Sequence, residues 1–272
     1  METLRFYGLE RTAEAGRWRM PVLPQLCSGM GTLFGGCGLG GLVEALEQEA
    51  GRPLAWATGQ FLSYAQPPEV VDIEVTLAVE GHTVTQGRAV GSVDGREILT
   101  VNAALGRRDF PYSGQWAAMP DVPPPDVCEP RRMHFRHEGT IRERLDDRLA
   151  EARDPEDFPG PPGTGRASIW VRIPDMPITA SALAIVGDYV PFGISQALGQ
   201  QAGGNSLDNT LRIATLTETE WILADVHMHA IQHGFAHGRV HLWAQDGTLL
   251  ATASQSSMVR AWRSDPGDEP PR

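Results

Sequence analysis

Gly35-Gly-Cys-Gly-Leu-Gly-Gly-Leu-Val-Glu-Ala-Leu-Glu-Gln-Glu-Ala-Gly51 reads as one helix, with small residues along one side and a glycine stop at its end. Small residues permit close packing against that side. Strand-like runs follow at Leu54–Tyr64, Val70–Val79, Thr83–Val93 and Glu97–Leu105, and Asp94-Gly95 between the last two is a hairpin signal. Such short turns predict antiparallel pairing.

The pattern then returns. A strand is predicted at Ser168–Arg172 and a helix near Asp188–Ala202, stopped by Gly203-Gly204. Strands follow at Ser206–Ile213, Glu220–Ala230, Gly238–Ala244 and Leu249–Arg260, with a second hairpin signal at Asp246-Gly247. Asp94 and Asp246, like Gly51 and Gly203, lie about 150 residues apart, which marks an internal repeat. A long helix laid across a curled antiparallel sheet buries the apolar face of both, so each half can form a core. Between the halves, residues 118–166 open on Pro123-Pro124-Pro125 and close on Pro159-Gly-Pro-Pro-Gly163, with a charged helical segment predicted around Thr140–Ala152. The expected division is a first domain over 1–117, a connecting segment over 118–166 and a second domain over 167–272 with a short disordered tail.

Composition narrows the function. The 272 residues carry a formal net charge of -11, which argues against a nucleic-acid binder because duplex binding relies on a basic face. The chain contains no Lys, which excludes a lysine Schiff base and a Walker-type phosphate loop while leaving Arg for phosphate contacts. Cys27, Cys37 and Cys128 are odd in number and show no paired spacing, so buried thiols are expected rather than disulfides or zinc ligands. No apolar run approaches the roughly 18 residues of a membrane span, and the first residues lack a signal-peptide layout; a cytoplasmic protein without membrane contact is expected.

Several stretches together resemble the acyl-CoA thioesterase II family. In the first half they are Leu33-Phe34-Gly35-Gly36, Phe61-Leu-Ser-Tyr-Ala-Gln-Pro67 and Gly87-Arg88. In the second they are Ser206-Leu-Asp208, Glu220-Trp221-Ile-Leu223, Gly234-Phe235 to Gly238, Asp246-Gly247-Thr-Leu-Leu-Ala251 and Ser254-Gln255 through Val259-Arg260. The resemblance covers most of the chain and implies an α+β fold, a tandem (double) hotdog. It also implies hydrolysis of an acyl-CoA to fatty acid and CoA, without a cofactor or metal. In that family an Asp at the start of the second central helix, a Thr beginning the next strand and a Gln late in the last strand hold the hydrolytic water. Those places fall on Asp188, Ser206 and Gln255, with Ser replacing Thr.

These residue types suit the reaction. Direct hydrolysis needs an oriented water, a base, and donors for the developing oxyanion. A carboxylate at a helix N-terminus is favoured in its ionised form, and Ser and Gln both donate and accept. Plainer readings stand beside these: Asp188 as an N-cap, Ser206 as a loop end, Gln255 as a satisfied core amide. Near the counterpart of Asp188 the first half offers Gly36, Cys37 and Gly38 and no acid, whereas polar counterparts of the others are expected near Thr58 and at Asn102 or Ala103. Glu44, two turns into its helix, is a second candidate acid.

Other signals are weaker. Gly36-Cys-Gly38-Leu-Gly-Gly41 fits a dinucleotide pattern without the strand before it, and Gly193-Ile-Ser195-Gln-Ala197 half resembles a nucleophile elbow inside a helix. His227, His229, His233, His237 and His241 cluster without a recognised metal spacing. Arg107, Arg108, Arg131 and Arg132 are candidates for CoA phosphates. Alternatives to hydrolysis are a non-catalytic acyl-CoA sensor and an enoyl-CoA hydratase. Exposed sheet edges lead to the expectation of a homo-oligomer.

Overall fold

The computed structural model describes residues 2–132 and 138–261, and the expected C-terminal tail lies outside them. Helix α1 (Glu2–Tyr7) and strands β1 (Glu10–Arg11) and β2 (Arg17–Pro21) precede α2 (Gly35–Ala50), β3 (Leu54–Phe61), β4 (Val70–Glu80), β5 (Val84–Val93) and β6 (Arg96–Gly106). Two strands follow in the middle stretch, β7 (Glu129–Pro130) and β8 (Asp146–Glu151). The second half contains β9 (Arg166–Arg172), α3 (Ala180–Gly187), α4 (Phe192–Leu198), β10 (Ala202–Ser206), β11 (Asp208–Ile213), β12 (Ile222–Gln232), β13 (Phe235–Ala244) and β14 (Leu249–Ala261).

All pairings are antiparallel and form one sheet in the order β1-β2-β4-β5-β6-β3-β11-β14-β13-β12-β9-β8-β7, with β10 also on β14. The order is mirrored about the β3–β11 joint, except that β7 at the far edge has no counterpart. There Thr58 pairs with Thr210, 152 residues away, and their hydroxyls are 2.7 Å apart. The same spacing holds along the strands. Leu54 opposes Leu105 just before a bulge, while Ser206 opposes Ser257 just before the break between β10 and β11. Leu54 is therefore the counterpart of Ser206, Ala103 that of Gln255, and Thr58 that of Thr210. The polar counterpart expected near Thr58 is corrected to a buried Leu54.

α2 and α3 cross over the joint, antiparallel. A Cβ on Gly36 would stand 2.8 Å from the Ile185 Cα, and one on Gly40 would stand 2.8 Å from the Ser181 carbonyl oxygen. Only glycine allows this approach. The contacts are symmetric in helices that begin at Gly35 and Ala180, 145 residues apart. Leu39, Leu42 and Leu46 fill the space between α2 and the sheet, and Leu183, Ile185 and Val186 belong to the same core on the other side. Buried apolar surface of this kind contributes about 25 cal/mol per Å².

Two expected helices differ. The helix over Asp188–Ala202 is replaced by α3 and α4, and Asp188 ends α3 rather than beginning a helix. Pro191 explains the break, because it lacks an N–H and its ring crowds the carbonyl four residues earlier. The helix around Thr140–Ala152 is replaced by a 3-10 turn at Ile141–Arg144 and by β8, which pairs with β9. Ile141 is buried and its N–H donates to Cys27 O at 3.0 Å, so tertiary pairing overrides the charged helical pattern. Both outer edges of the sheet are two-residue strands, which limits edge-to-edge pairing there. Among the described residues, no helix is long and apolar enough to cross a membrane.

Candidate active site

The break after α3 aims Asp188 at the joint between the halves. Its Oδ2 accepts the Gly36 N–H at 2.7 Å, in the first turn of α2. The residue before that helix, Phe34, supplies no side-chain cap, so Asp188 caps a helix belonging to the other half. A Cβ on Gly35 would lie 2.7 Å from that same Oδ2, which is why two glycines open α2. The helix N-terminus that the sequence places beside Asp188 is thus real but comes from 152 residues earlier.

Gln255 and Ser206 converge on the other oxygen. Gln255 Nε2 donates to Asp188 Oδ1 and, at 2.6 Å, to Ser206 Oγ, while Ser206 Oγ donates to Asp188 Oδ1 at 3.3 Å. All three expected residues meet in one hydrogen-bonded group. Their setting follows from the strand ladder: Ser206 sits opposite Ser257 on β14, two residues beyond Gln255 and therefore on the same sheet face.

Burial decides the charge. Desolvation pushes the Asp188 carboxyl from its ordinary 3.8 up to about 6, against the opposing pull of hydrogen bonds from Gln255, Gly36, Ser206 and Asn209. The helix terminus still favours the ionised form, but burial opposes it more strongly. A base with this pKa is mostly ionised at neutral pH yet still able to hold a proton, which suits general base catalysis.

Sequence reading missed Asn209, Ser257 and the pairing behind the break. Gln255 Oε1, Ser257 Oγ and Asn209 Oδ1 are buried without a hydrogen-bond partner among the described residues. Buried acceptors of this kind are costly unless satisfied, and functional sites are where they persist. Behind the break, Tyr189 Oη donates to Asp147 Oδ1 at 2.9 Å, and Arg142 and Arg131 also pair with Asp147. The middle stretch thereby clamps the residue next to Asp188. Only the run Arg131, Arg142 and Asp147 signalled this, and charges in a linker do not announce their partners.

Comparison with known proteins fits this geometry. Residues 118–259 match the family model described as acyl-CoA thioesterase C-terminal domain. A structure from Novosphingobium aromaticivorans assigned as a candidate thioesterase is 32% identical, with a TM-score of 0.81 over 93% of this chain and 98% of that one. The chain belongs to the acyl-CoA thioesterase family. This thioesterase is accordingly a thioester hydrolase. A hot dog fold protein from Alicyclobacillus acidocaldarius (19% identity, TM-score 0.82, 97% and 99% covered) shares its fold. So does an acyl-CoA thioesterase II from Mycobacterium marinum (22% identity, TM-score 0.75, 95% and 98% covered). The fold is the expected α+β double hotdog. No curated protein matches the sequence.

The remaining candidates of the thioesterase lie apart from this group. Glu44 is buried in α2 and accepts the Gln48 amide at 2.9 Å. Arg131 is committed to Asp147, and Arg132 to Asp154, Glu156 and Asp157; Arg107 and Arg108 are exposed. His227 pairs with Asp225 at 3.0 Å and stacks on His241. Among the described residues, no group of three His, Cys, Asp or Glu side chains is arranged to hold a metal. Cys27, Cys37 and Cys128 are free and buried, and Gly193–Ala197 lies within α4.

Proposed function

We propose that this thioesterase hydrolyses an acyl-CoA to a free fatty acid and CoA by direct attack of water, with Asp188 as general base and Gln255 and Ser206 orienting the water. The observation that carries this reading is the meeting of an acid poised near neutrality, two amphoteric side chains and a helix N-terminus at one buried point. The water oxygen adds to the thioester carbonyl carbon while Asp188 accepts a proton, and the unpaired Gln255 Oε1 is free to accept the other water hydrogen. Collapse of the tetrahedral intermediate breaks the C–S bond, and the proton held by Asp188 goes to the leaving thiolate. The first-turn N–H groups of α2 beside Gly36 lack partners four residues back and suit the oxyanion.

In this reading residues 167–272 carry the chemistry, residues 1–117 supply the α2 N-terminus, and 118–166 is tied to the second unit through β8. Release of CoA thiol from a panel of acyl-CoAs by wild type, Asp188→Ala and Gln255→Ala tests it. Wild type is expected to release thiol and both variants to be strongly impaired. Equal rates in all three would overturn the site, and tight binding without release would make the protein a sensor instead.

A further inference from the structure

A fourth polar side chain belongs with the three above. Asn209 lies on β11, one step along the ladder from the Thr210–Ser254 pair, which sets it across from Gln255 on the same face. It is 1% exposed, and its Nδ2 donates to the Gly187 carbonyl at 3.3 Å, the last carbonyl before Asp188. Its Oδ1 is unpartnered and buried, like the Oε1 of Gln255. A core asparagine with no task beyond packing has both ends of its amide bonded; this one ties down the end of α3 with one end and leaves the other bare. The opposite neighbour of Asn209 in the ladder is Gly59 of β3, which offers no side chain to complete the amide.

We infer that Asn209 is a positioning residue for the hydrolysis, fixing the backbone that carries Asp188. The inference rests on Asp188 being the base. Hydrogen bonding from Asn209 lowers the Asp188 pKa, in the direction this role requires.

The test compares pH profiles of kcat and KM for CoA-thiol release by wild type, Asn209→Leu, Asn209→Ser and Asp188→Asn. Asn209→Leu keeps the volume and removes both polar ends; Asn209→Ser keeps a polar atom too short to bridge and guards against failure of the first variant to fold. Both are expected to lower kcat about tenfold with KM changed less than about twofold, and to move the acid limb upward by about half a pH unit or more. A lowered Tm with the acid limb unmoved and kcat intact would make Asn209 merely structural and overturn the inference. If Asp188→Asn keeps its activity, the base assignment itself falls and the inference falls with it. Loss of activity in Asp188→Asn beside an unmoved limb in the Asn209 variants overturns the inference alone.

Discussion

The two halves share a sheet topology and differ at the group proposed to carry the chemistry. At the places equivalent to Asp188, Ser206 and Gln255 the first half has Val43, Leu54 and Ala103, each 4% exposed or less; Val43 replaces the counterpart expected at Gly36 to Gly38. For the helix this follows the 145-residue spacing of α2 and α3, and for the strands the 152-residue spacing of the joint. One member of the repeat keeps a buried polar cluster that costs stability, and the other has apolar side chains at the same places. The difference teaches that a duplicated unit can separate the two tasks. The first half contributes packing and a helix terminus, and the second contributes the acid that the terminus holds.

Asp188→Asn bears hardest on this contrast. Turnover is expected to fall by about a thousandfold, the range of a lost general base, measured as thiol release at saturating substrate. The same substitution should raise stability. An acid whose folded pKa lies above its unfolded value leaves the folded state binding more protons between about pH 4 and 6, so its penalty is absent at low pH and complete above about 6. Removing it at pH 8 is worth up to about 3 kcal/mol, read as a Tm increase of several degrees. Glu47, also pushed up by burial to about 7, titrates nearby, so wild type and variant are compared at each pH rather than wild type alone.

Gln255→Leu comes next, with about a hundredfold loss in kcat, because it removes donors to both Asp188 and Ser206. Lowering the pH from 7 to 5 is expected to slow wild type by about tenfold, with an acid limb near 6 that is absent from Asp188→Asn. Ser206→Thr should change kcat by less than about threefold, since the hydroxyl is retained. In the first half, Leu54→Ser is expected to leave kcat unchanged while lowering stability by about 2–4 kcal/mol in chemical denaturation, because it opens a core site without serving any reaction.

Much of the fold was legible from local pattern. The helix at Gly35–Gly51, the Asp-Gly turns and the alternation along β3 to β6 and β11 to β14 depend on neighbours in sequence, and all appear in the structure. The break at Pro191 was written in the chain too, but the expectation of a helix copied from the first half masked it. The strand β8 was not legible: its residues Asp146–Glu151 are mostly charged, and pairing with β9 makes them a strand.

By itself the sequence carried the two-copy pattern, because periodicity is a local property, and the family resemblance, which in turn implied Asp188, Ser206 and Gln255 as the acid, hydroxyl and amide. The tertiary structure alone decided which helix Asp188 serves, that burial outweighs its hydrogen bonds, and that Asn209 and the Tyr189–Asp147 clamp stand behind it. These depend on distances between residues far apart in the chain, and on how much water the folded joint excludes.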